Sequence, residues 1–490
     1  MNNRRIHWEK KHLFFFIATA LLVAVSMLNV SNSHDWGGDF AMYISQSQNI
    51  LDGKPIWETG YIVNPQYTML SPKEYPPLFS ILILPIIAIY GIEIQPILYF
   101  VSFLFAMSTV LMFVFFYKTE KVNKWWALAL SMGFILNPVI QLLKNEILAD
   151  ILLMIIVLGF LFLYNKRNVW MLGLFSGLAI LTKEIGYCLV IVFIFDSIIS
   201  YFKNEFSFKE ISVKVTKFIG VALSVVVLIK LLLGSRLGIG YESHFDQRDL
   251  FESIWTNIIY YQRLIQYFLV VELHEKNLFQ SITYFLGLIG FILFILGWIN
   301  TNKRVYGLFM LVYLGILLAY PYQGSGDRFL LPIMPLILLW IYQSIRNNIW
   351  NKYKVGKGIS GFYILLLIAI YIKQDVIVYK NKDLIKNGPN QPKNQAWMKF
   401  IKESIPKNSI VLFFKPRVLY LYSDKKSIAN KRNASAEQIE KLIDDFDVNY
   451  VVYSKEFANN NVKKIMDMHL YWKSVYNHDK ILIFERMLKN

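Results

Sequence analysis

Charged residues are scarce in this chain of 490 residues. They make up 17% of the sequence, whereas hydrophobic residues make up 55% and the mean hydropathy is +0.40. A soluble protein carries about a quarter charged residues, so this shortage indicates lipid rather than water as the main solvent. The net charge of +17 would suit a nucleic-acid partner only if Lys and Arg formed a basic face on a soluble fold. They instead form short clusters between apolar runs, which excludes a nucleic-acid binder and indicates a membrane protein.

The sequence has only one cysteine and shows no cleavage site for a leader peptide. Cys188 is the single cysteine, which excludes an intrachain disulfide, and its apolar surroundings predict a small buried residue. The first apolar stretch, at about 13–30, follows a basic segment as in a signal peptide, but no small-residue cleavage site comes after it. We therefore expect an uncleaved first helix whose basic end is cytoplasmic.

Long apolar runs are what the sequence has in abundance. Several are shorter than the roughly 20 residues of a perpendicular span, so some are broken or incomplete crossings. The sequence predicts an α-helical polytopic protein of the cell membrane with about 11–13 transmembrane helices. The runs lie at about 13–30, 78–90, 97–117, 125–143, 147–164, 169–182, 186–202, 216–234, 279–299, 305–320, 329–345 and 358–373.

Basic clusters between these runs predict the orientation. If all of them lie inside with the N-terminus, then 78–90 and 97–117 together make one crossing and the C-terminal region lies outside. The alternative counts both runs as full spans and places the lysines at 118–124 outside, against the positive-inside rule. The first arrangement makes 31–76 and 235–277 long extracytoplasmic loops, and the aromatic stretch 250–271 a helix along the membrane interface.

Composition changes abruptly after residue 380. Short apolar strands at 410–414, 448–453 and 481–484 alternate with a helical pattern at 436–446. We therefore divide the chain into a transmembrane domain at 1–379 and a small extracytoplasmic α/β domain at 380–490. No internal repeat is visible, which argues against an inverted-repeat transporter.

Carboxylates in the first loop are the main candidates for chemistry. Asp35 and Asp39 directly follow the first run, and Glu74 precedes the next. A carboxylate can remove a proton from a hydroxyl, and a pair can hold a divalent cation. The alternative is that the two aspartates merely cap a helix, since Asp is a favoured N-cap.

Further charges lie at predicted helix ends on the same side of the membrane. Charges at membrane depth are costly and usually line a site or pair with each other. The ion pairs Lys183–Glu146 and Asp327–Arg328, which would only tie helices together, are the alternative to a functional site. A metal site from His244, His274 and Glu275 has no supporting spacing. The candidates are Glu146, Asp150, Lys183 and Arg328.

These motifs occur in an order that resembles the GT-C superfamily of membrane glycosyltransferases. A basic N-terminus and first span precede Asp39-Phe-Ala-Met-Tyr43, a helix ending at Gly53, and Glu74-Tyr-Pro-Pro77. Arg328-Phe-Leu-Leu-Pro332 and Leu181-Thr-Lys183 resemble later helices of the branch that contains protein O-mannosyltransferases and lipid A aminoarabinose transferases. That branch usually has two adjacent acidic residues where this chain has Asp39-Phe40. The second carboxylate, Asp35 or Glu74, and the use of a metal therefore stay open.

The resemblance implies an inverting transfer of a sugar from a polyprenyl-phosphate lipid to an acceptor hydroxyl outside the membrane. Asp39 would be the base and Glu74 its partner, with a divalent metal between them as an open possibility. Lys183 and Arg328 would hold the phosphate, while Trp36, Tyr43, Tyr75, Glu146 and Asp150 would line the pocket. The acceptor is a glycan, a lipid or a protein. A flippase or transporter for a lipid-linked sugar, and a non-catalytic partner in polysaccharide assembly, are the alternatives.

Overall fold

The structure is a computed structural model of the chain. It describes residues 2–70, 72–235, 249–270, 278–321, 323, 326–350, 366–374, 376, 388–456, 459–469 and 471–487. Two compact units divide the chain, and each is assembled from three separate stretches. The larger unit consists of Met1–Ser31, Gln95–Ile229 and Arg248–Lys382, and the smaller unit of Asn32–Ile94, Lys230–Gln247 and Asp383–Asn490. The predicted domain boundary at 379/380 lies outside the described residues.

Helices dominate the chain. A π-helical turn, Phe115–Thr119, extends the fourth helix, and residues 366–374 form a further helical segment. In chain order the helices are α1 (Asn2–Ser26), α2 (Gly38–Leu51), α3 (Leu78–Tyr90), α4 (Ile94–Val114), α5 (Lys124–Ile135), α6 (Pro138–Leu143), α7 (Asp150–Tyr164), α8 (Val169–Thr182), α9 (Tyr187–Phe202), α10 (Phe208–Leu232), α11 (Leu250–Val270), α12 (Leu278–Ile299), α13 (Arg304–Ala319), α14 (Gly326–Phe329), α15 (Met334–Ser344), α16 (Pro392–Ser404), α17 (Pro416–Ser423), α18 (Ala436–Asp445) and α19 (Asn460–Met468).

Several of these helices suit a membrane. Four helical stretches of the described chain are long and apolar enough to cross one: Ile94–Thr119, Glu184–Phe202, Phe208–Leu232 and Gly326–Asn347. Shorter apolar helices include His12–Ser26, Asp150–Tyr164 and Arg304–Ala319. Cys188 is 1% exposed within α9, as predicted.

Ion pairs connect helix ends in the larger unit. Arg304, at the start of α13, donates from Nε to Asp196 at 2.5 Å and from Nη1 to Glu205 at 2.9 Å. Lys303 Nζ lies 2.7 Å from a carboxylate oxygen of Glu120, beyond the end of α4. Because each charge has a close partner, the attraction within each pair offsets the cost of removing the charges from water.

A five-stranded sheet forms the centre of the C-terminal part of the smaller unit. Its strands are β1 (Ile410–Leu412), β2 (Lys426–Ile428), β3 (Tyr450–Ser454), β4 (Trp472–His478) and β5 (Ile481–Arg486), in the order β2-β1-β3-β5-β4. β1 is parallel to β2 and β3, whereas β5 is antiparallel to β3 and β4. The three predicted strands and the helix predicted at 436–446 are confirmed.

The first loop pairs with the edge strand of this sheet. The backbone N–H of Ile62 donates to the Ser427 carbonyl at 2.9 Å, and the N–H of Ser427 donates to the Gly60 carbonyl at 3.1 Å. Asn64 Nδ2 adds a hydrogen bond to the Ala429 carbonyl at 2.9 Å. The edge strand β2 is thereby covered by a segment from the other end of the sequence, as exposed sheet edges commonly are.

Candidate functional site

Asp39 lies in the first turn of α2, where it does not cap the helix. The N-cap residue is Gly37, and no side chain caps this end of α2. Asp39 Oδ1 instead accepts a hydrogen bond from the Tyr75 hydroxyl at 2.6 Å. The side chain is 23% exposed, so the carboxylate is held in place while part of it remains accessible.

Arg417 is the residue at this site that the sequence did not point to. Its Nη1 donates to the Tyr75 hydroxyl at 2.6 Å and lies 3.9 Å from Asp39 Oδ1. Its Nη2 donates to the carbonyls of Leu70 and Pro72. The side chain is only 7% exposed. The guanidinium is therefore a buried positive charge that contacts the backbone at Leu70 and Pro72 and lies close to the Asp39 carboxylate. The feature of the sequence that could have identified Arg417 is its position just after the predicted strand β1, because functional residues commonly follow the carboxyl ends of parallel strands.

Asp35 has a different environment from Asp39. Its Oδ1 accepts from the Gly37 N–H at 2.7 Å and lies 3.0 Å from His34 Nδ1. Burial raises the pKa of Asp35, but His34, the Gly37 N–H and the charge of Lys415 outweigh it, so the pKa lies below its usual value. The Gly37 contact supports the alternative in which Asp35 organises the entry to α2.

Lys415 adds a second positive charge to this region. Burial lowers its pKa, and the negative charges of Asp35 and Asp39 partly oppose that effect. Burial also raises the pKa of Tyr61 to about 12, although Arg417 acts the other way. Lys415 and Arg417 therefore supply two cations beside two carboxylates.

Packing on α2 fixes the Tyr75 hydroxyl. The Tyr75 ring lies 5.2 Å from the ring of Tyr43, which also contacts Phe79 at 4.8 Å. Gln46 Nε2 donates to the Tyr75 carbonyl at 2.9 Å. Tyr43 is 4% exposed, so it packs against Tyr75 and helps to hold that ring in place.

Glu74 and Trp36 are each engaged elsewhere in the smaller unit. Glu74 Oε1 accepts from the Ser235 hydroxyl at 2.9 Å. The ring of Trp36 lies 6.4 Å from that of Trp397 and 5.9 Å from that of Phe413, with 7% of the residue exposed. Aromatic neighbours thus surround Trp36, and its place in a sugar pocket stays a prediction.

The predicted metal at Asp39 and Glu74 would share its surroundings with the cation of Arg417. Arg417 already places a positive charge 3.9 Å from the carboxylate. No group of three or more His, Cys, Asp or Glu that could hold an ion occurs among the described residues. Mg²⁺ needs only one or two carboxylates beside water and substrate phosphates, so a metal at Asp39 and Glu74 stays a prediction, and the reaction proposed for this site assigns no step to it. His244, His274 and Glu275 lie outside the described residues.

The larger unit brings the two predicted phosphate ligands to one ring. Lys183 Nζ lies 4.3 Å from the centroid of Phe329, and the Arg328 guanidinium carbon lies 5.1 Å from it. Lys183 also forms an ion pair with Asp150, whose side chain is 2% exposed. Asp150 is therefore a partner of Lys183 that the sequence did not pair with it, and the predicted partner Glu146 is half-buried just before α7. Lys183 and Arg328 thus lie beside one aromatic ring, and the carboxylate of Asp150 accompanies Lys183.

An apolar groove lies elsewhere in the larger unit, among α5, α11, α15 and the helical segment 366–374. Its lining is almost entirely aliphatic and aromatic, which suits a hydrocarbon chain. The lining includes Phe134, Phe268, Leu338, Ile341, Leu367 and Tyr371.

Two solved structures share this fold over nearly the whole chain. ArnT from Cupriavidus metallidurans bound to undecaprenyl phosphate is 11% identical, with a TM-score of 0.59, and the match covers 96% of this chain and 97% of that one. The apo state of the same protein is 12% identical, with a TM-score of 0.56, and the match covers 97% and 98%. No family model and no curated protein matches the chain.

This likeness establishes the fold. The chain has the GT-C fold of the lipid A aminoarabinose transferase ArnT, which confirms the fold assignment made from the order of the motifs. It is therefore a multi-pass membrane protein with a small α/β region at its C-terminus.

Proposed function

We propose that this protein is a glycosyltransferase that moves a sugar from a polyprenyl-phosphate donor to an acceptor hydroxyl at the outer face of the membrane. The observation that carries the proposal is the environment of Asp39. This carboxylate is partly exposed, and a tyrosine and a buried arginine hold it in place, whereas a helix-capping aspartate would bond the backbone of its own helix. A fixed, accessible carboxylate suits a general base.

The proposed reaction is a displacement at the anomeric carbon of the sugar. The acceptor oxygen bonds to that carbon while the bond to the donor phosphate oxygen breaks, which inverts the configuration. Asp39 takes the proton of the acceptor hydroxyl, and polyprenyl phosphate leaves with the bonding electrons. Tyr75 and Arg417 position Asp39, Asp35 organises the entry to α2, and Glu74 supports the acceptor side.

In the larger unit, we assign the donor phosphate to Lys183 and Arg328. A guanidinium and an ammonium beside one aromatic ring favour the negative charge that grows on the leaving phosphate. Asp150 positions Lys183 through their ion pair, and Glu146 lies near the start of the same helix. The apolar groove suits the polyprenyl chain.

A turnover assay tests the proposal. The purified full-length protein in lipid vesicles would receive polyprenyl-phosphate sugars extracted from a strain that lacks it, together with the glycans and lipids of that strain. We expect free polyprenyl phosphate to form as the sugar lipid is consumed. Movement of the intact sugar lipid across the bilayer without its cleavage would instead indicate a flippase, and neither event would indicate an assembly partner.

A further inference from the structure

The larger unit has a large cleft whose lining includes none of the residues proposed for catalysis or donor binding. It is formed by α1, the π-helical turn after α4, and the start of α5, and its volume is about 960 Å³. We call it the basic cleft, because it contains three lysines and a histidine and no acidic residue. Its lining is His12, Phe15, Tyr117, Lys118, Lys121, Val122, Asn123 and Lys124.

The charge of the basic cleft comes from its lysines. In the part of the chain that the structure describes, Lys118, Lys121 and Lys124 form no salt bridge. The acidic residue of the same turn, Glu120, is turned away, with its side chain 4% exposed and hydrogen-bonded to Lys303 and to the Tyr306 hydroxyl, each at 2.7 Å. The net charge of the basic cleft is therefore strongly positive.

The backbone between α4 and α5 brings Lys118, Lys121 and Lys124 to the basic cleft. Lys121 has a φ of +55°, a left-handed conformation that reverses the chain between α4 and α5. Lys124 is the first residue of α5, so the positive end of that helix dipole lies at the basic cleft. Asn123 caps this end by accepting from the Trp125 N–H at 3.0 Å.

Aromatic rings accompany the lysines. Lys118 Nζ lies 5.9 Å from the ring centroid of Phe15, and Lys124 Nζ lies 4.6 Å from that of Phe14. Trp125 is 60% exposed, and Phe16 on the neighbouring face of α1 is 72% exposed. Exposed aromatic residues mixed with lysines at helix ends are typical of the lipid headgroup region, with hydrocarbon beside the apolar residues.

We propose that the basic cleft binds the phosphate headgroup of an anionic phospholipid in the leaflet on the side of the basic loops. The lysines and the α5 N-terminus supply the positive charge, and the exposed rings of Phe16 and Trp125 contact the acyl chains. Basic pockets between transmembrane helices on the cytoplasmic side suit such headgroups. If the lysines only determined the orientation of the protein in the membrane, they would require neither a cleft nor neighbouring aromatic rings that face the lipid.

Lipid titration of the detergent-purified full-length protein tests this site. Native mass spectrometry would count bound phosphatidylglycerol on the wild type and on the K118Q/K121Q/K124Q variant. Each lysine near a headgroup contributes about fivefold to affinity, so we expect the triple variant to bind on the order of a hundredfold more weakly. The matched control, K203Q/K209Q/K217Q, removes three exposed lysines before and within the first half of α10 and should bind as the wild type does.

Two further measurements distinguish a lipid headgroup from free phosphate as the ligand of the basic cleft. Phosphatidylcholine should bind weakly to the wild type, because its headgroup carries no net charge. Inorganic phosphate at the same concentration should not displace phosphatidylglycerol, because it lacks the acyl chains; displacement would indicate a site for free phosphate. Equal phosphatidylglycerol binding by wild type and K118Q/K121Q/K124Q, or an equal loss in the control variant, would overturn the proposal.

Discussion

Two aspartates four positions apart in the first loop have different partners, and we base the different roles proposed for them on this difference. Asp35 bonds the backbone at the entry to α2, whereas Asp39 bonds the Tyr75 hydroxyl beside Arg417. The same residue type thus serves backbone geometry at one position and is available for chemistry at the other. The contrast gives the most direct test of the base.

Asp39→Asn should reduce turnover roughly a hundred- to ten-thousand-fold, because the amide keeps the shape and the contact with Tyr75 but cannot accept a proton. Polyprenyl phosphate release by the purified variant measures the effect. Asp35→Asn is the control and should be mild, since Asn organises a helix start about as well as Asp does. Near-normal turnover in a well-folded Asp39→Asn protein would eliminate Asp39 as the base.

Arg328 provides a second test at the scale of single residues. Arg328→Lys keeps the charge but loses the forked donors and the flat contact with Phe329, so donor affinity should fall at least tenfold. Binding of the donor lipid to the purified variant measures it. Arg346→Lys, at an exposed position of the same helical stretch, should bind the donor normally. Full donor affinity in Arg328→Lys would assign this arginine a purely structural role.

At the scale of elements, the pairing of the first loop with β2 is what brings Arg417 to Asp39. The paired segment, Gly60 to Ile62, passes beside α17, the helix that carries both Arg417 and Tyr420. Gly60 has a φ of +63°, and a Cβ at this position would lie 1.9 Å from the Tyr420 ring. Only glycine fits here, because any other residue requires the ring or the strand pairing to shift.

Gly60→Ala should therefore lower both turnover and the thermal stability of the smaller unit. Gly53→Ala is a matched control, since Gly53 has a φ of +66° but no atom within 4 Å of its Cβ position. It carries only the left-handed backbone cost of about 1 kcal/mol. Thermal unfolding of both variants, followed by turnover below the transition, separates the clash from the backbone cost. Equal behaviour of the two variants would show that the Tyr420 contact does not position the site.

At the scale of the whole molecule, the segments that form the smaller unit bear on the orientation of the protein in the membrane. The first loop and the C-terminal α/β region are bonded to each other within that unit, so they lie on one side of the membrane. The basic loops of the sequence predict that this is the outer side. Labelling of single cysteines can test both statements.

Gln66→Cys and Ser474→Cys, at two exposed positions of the smaller unit, should both react with an impermeant maleimide on intact cells. Lys166→Cys, in a predicted cytoplasmic turn, should react only after permeabilisation. The native Cys188 is buried and gives little background. Reaction at one of the first two positions alone would contradict the arrangement of the smaller unit, and protection of both would reverse the predicted orientation.

The sequence by itself determined the membrane class, the helical fold and three of the five strands. Those features depend on local hydropathy and periodicity, which adjacent residues carry. It missed β2 and β4, because β2 has only one apolar residue, Ile428, and most residues of β4 are exposed and polar. Order and spacing of the motifs also sufficed to assign the GT-C fold.

Only the tertiary structure decided which charges meet. Arg417 is 378 positions from Asp39 in the sequence, and nothing local in either segment pairs them. Lys183 forms an ion pair with Asp150, whereas the sequence had suggested Glu146, because helix packing decides which charges meet. Hydropathy is a property of neighbouring residues, whereas the geometry of a site depends on segments that only folding brings together.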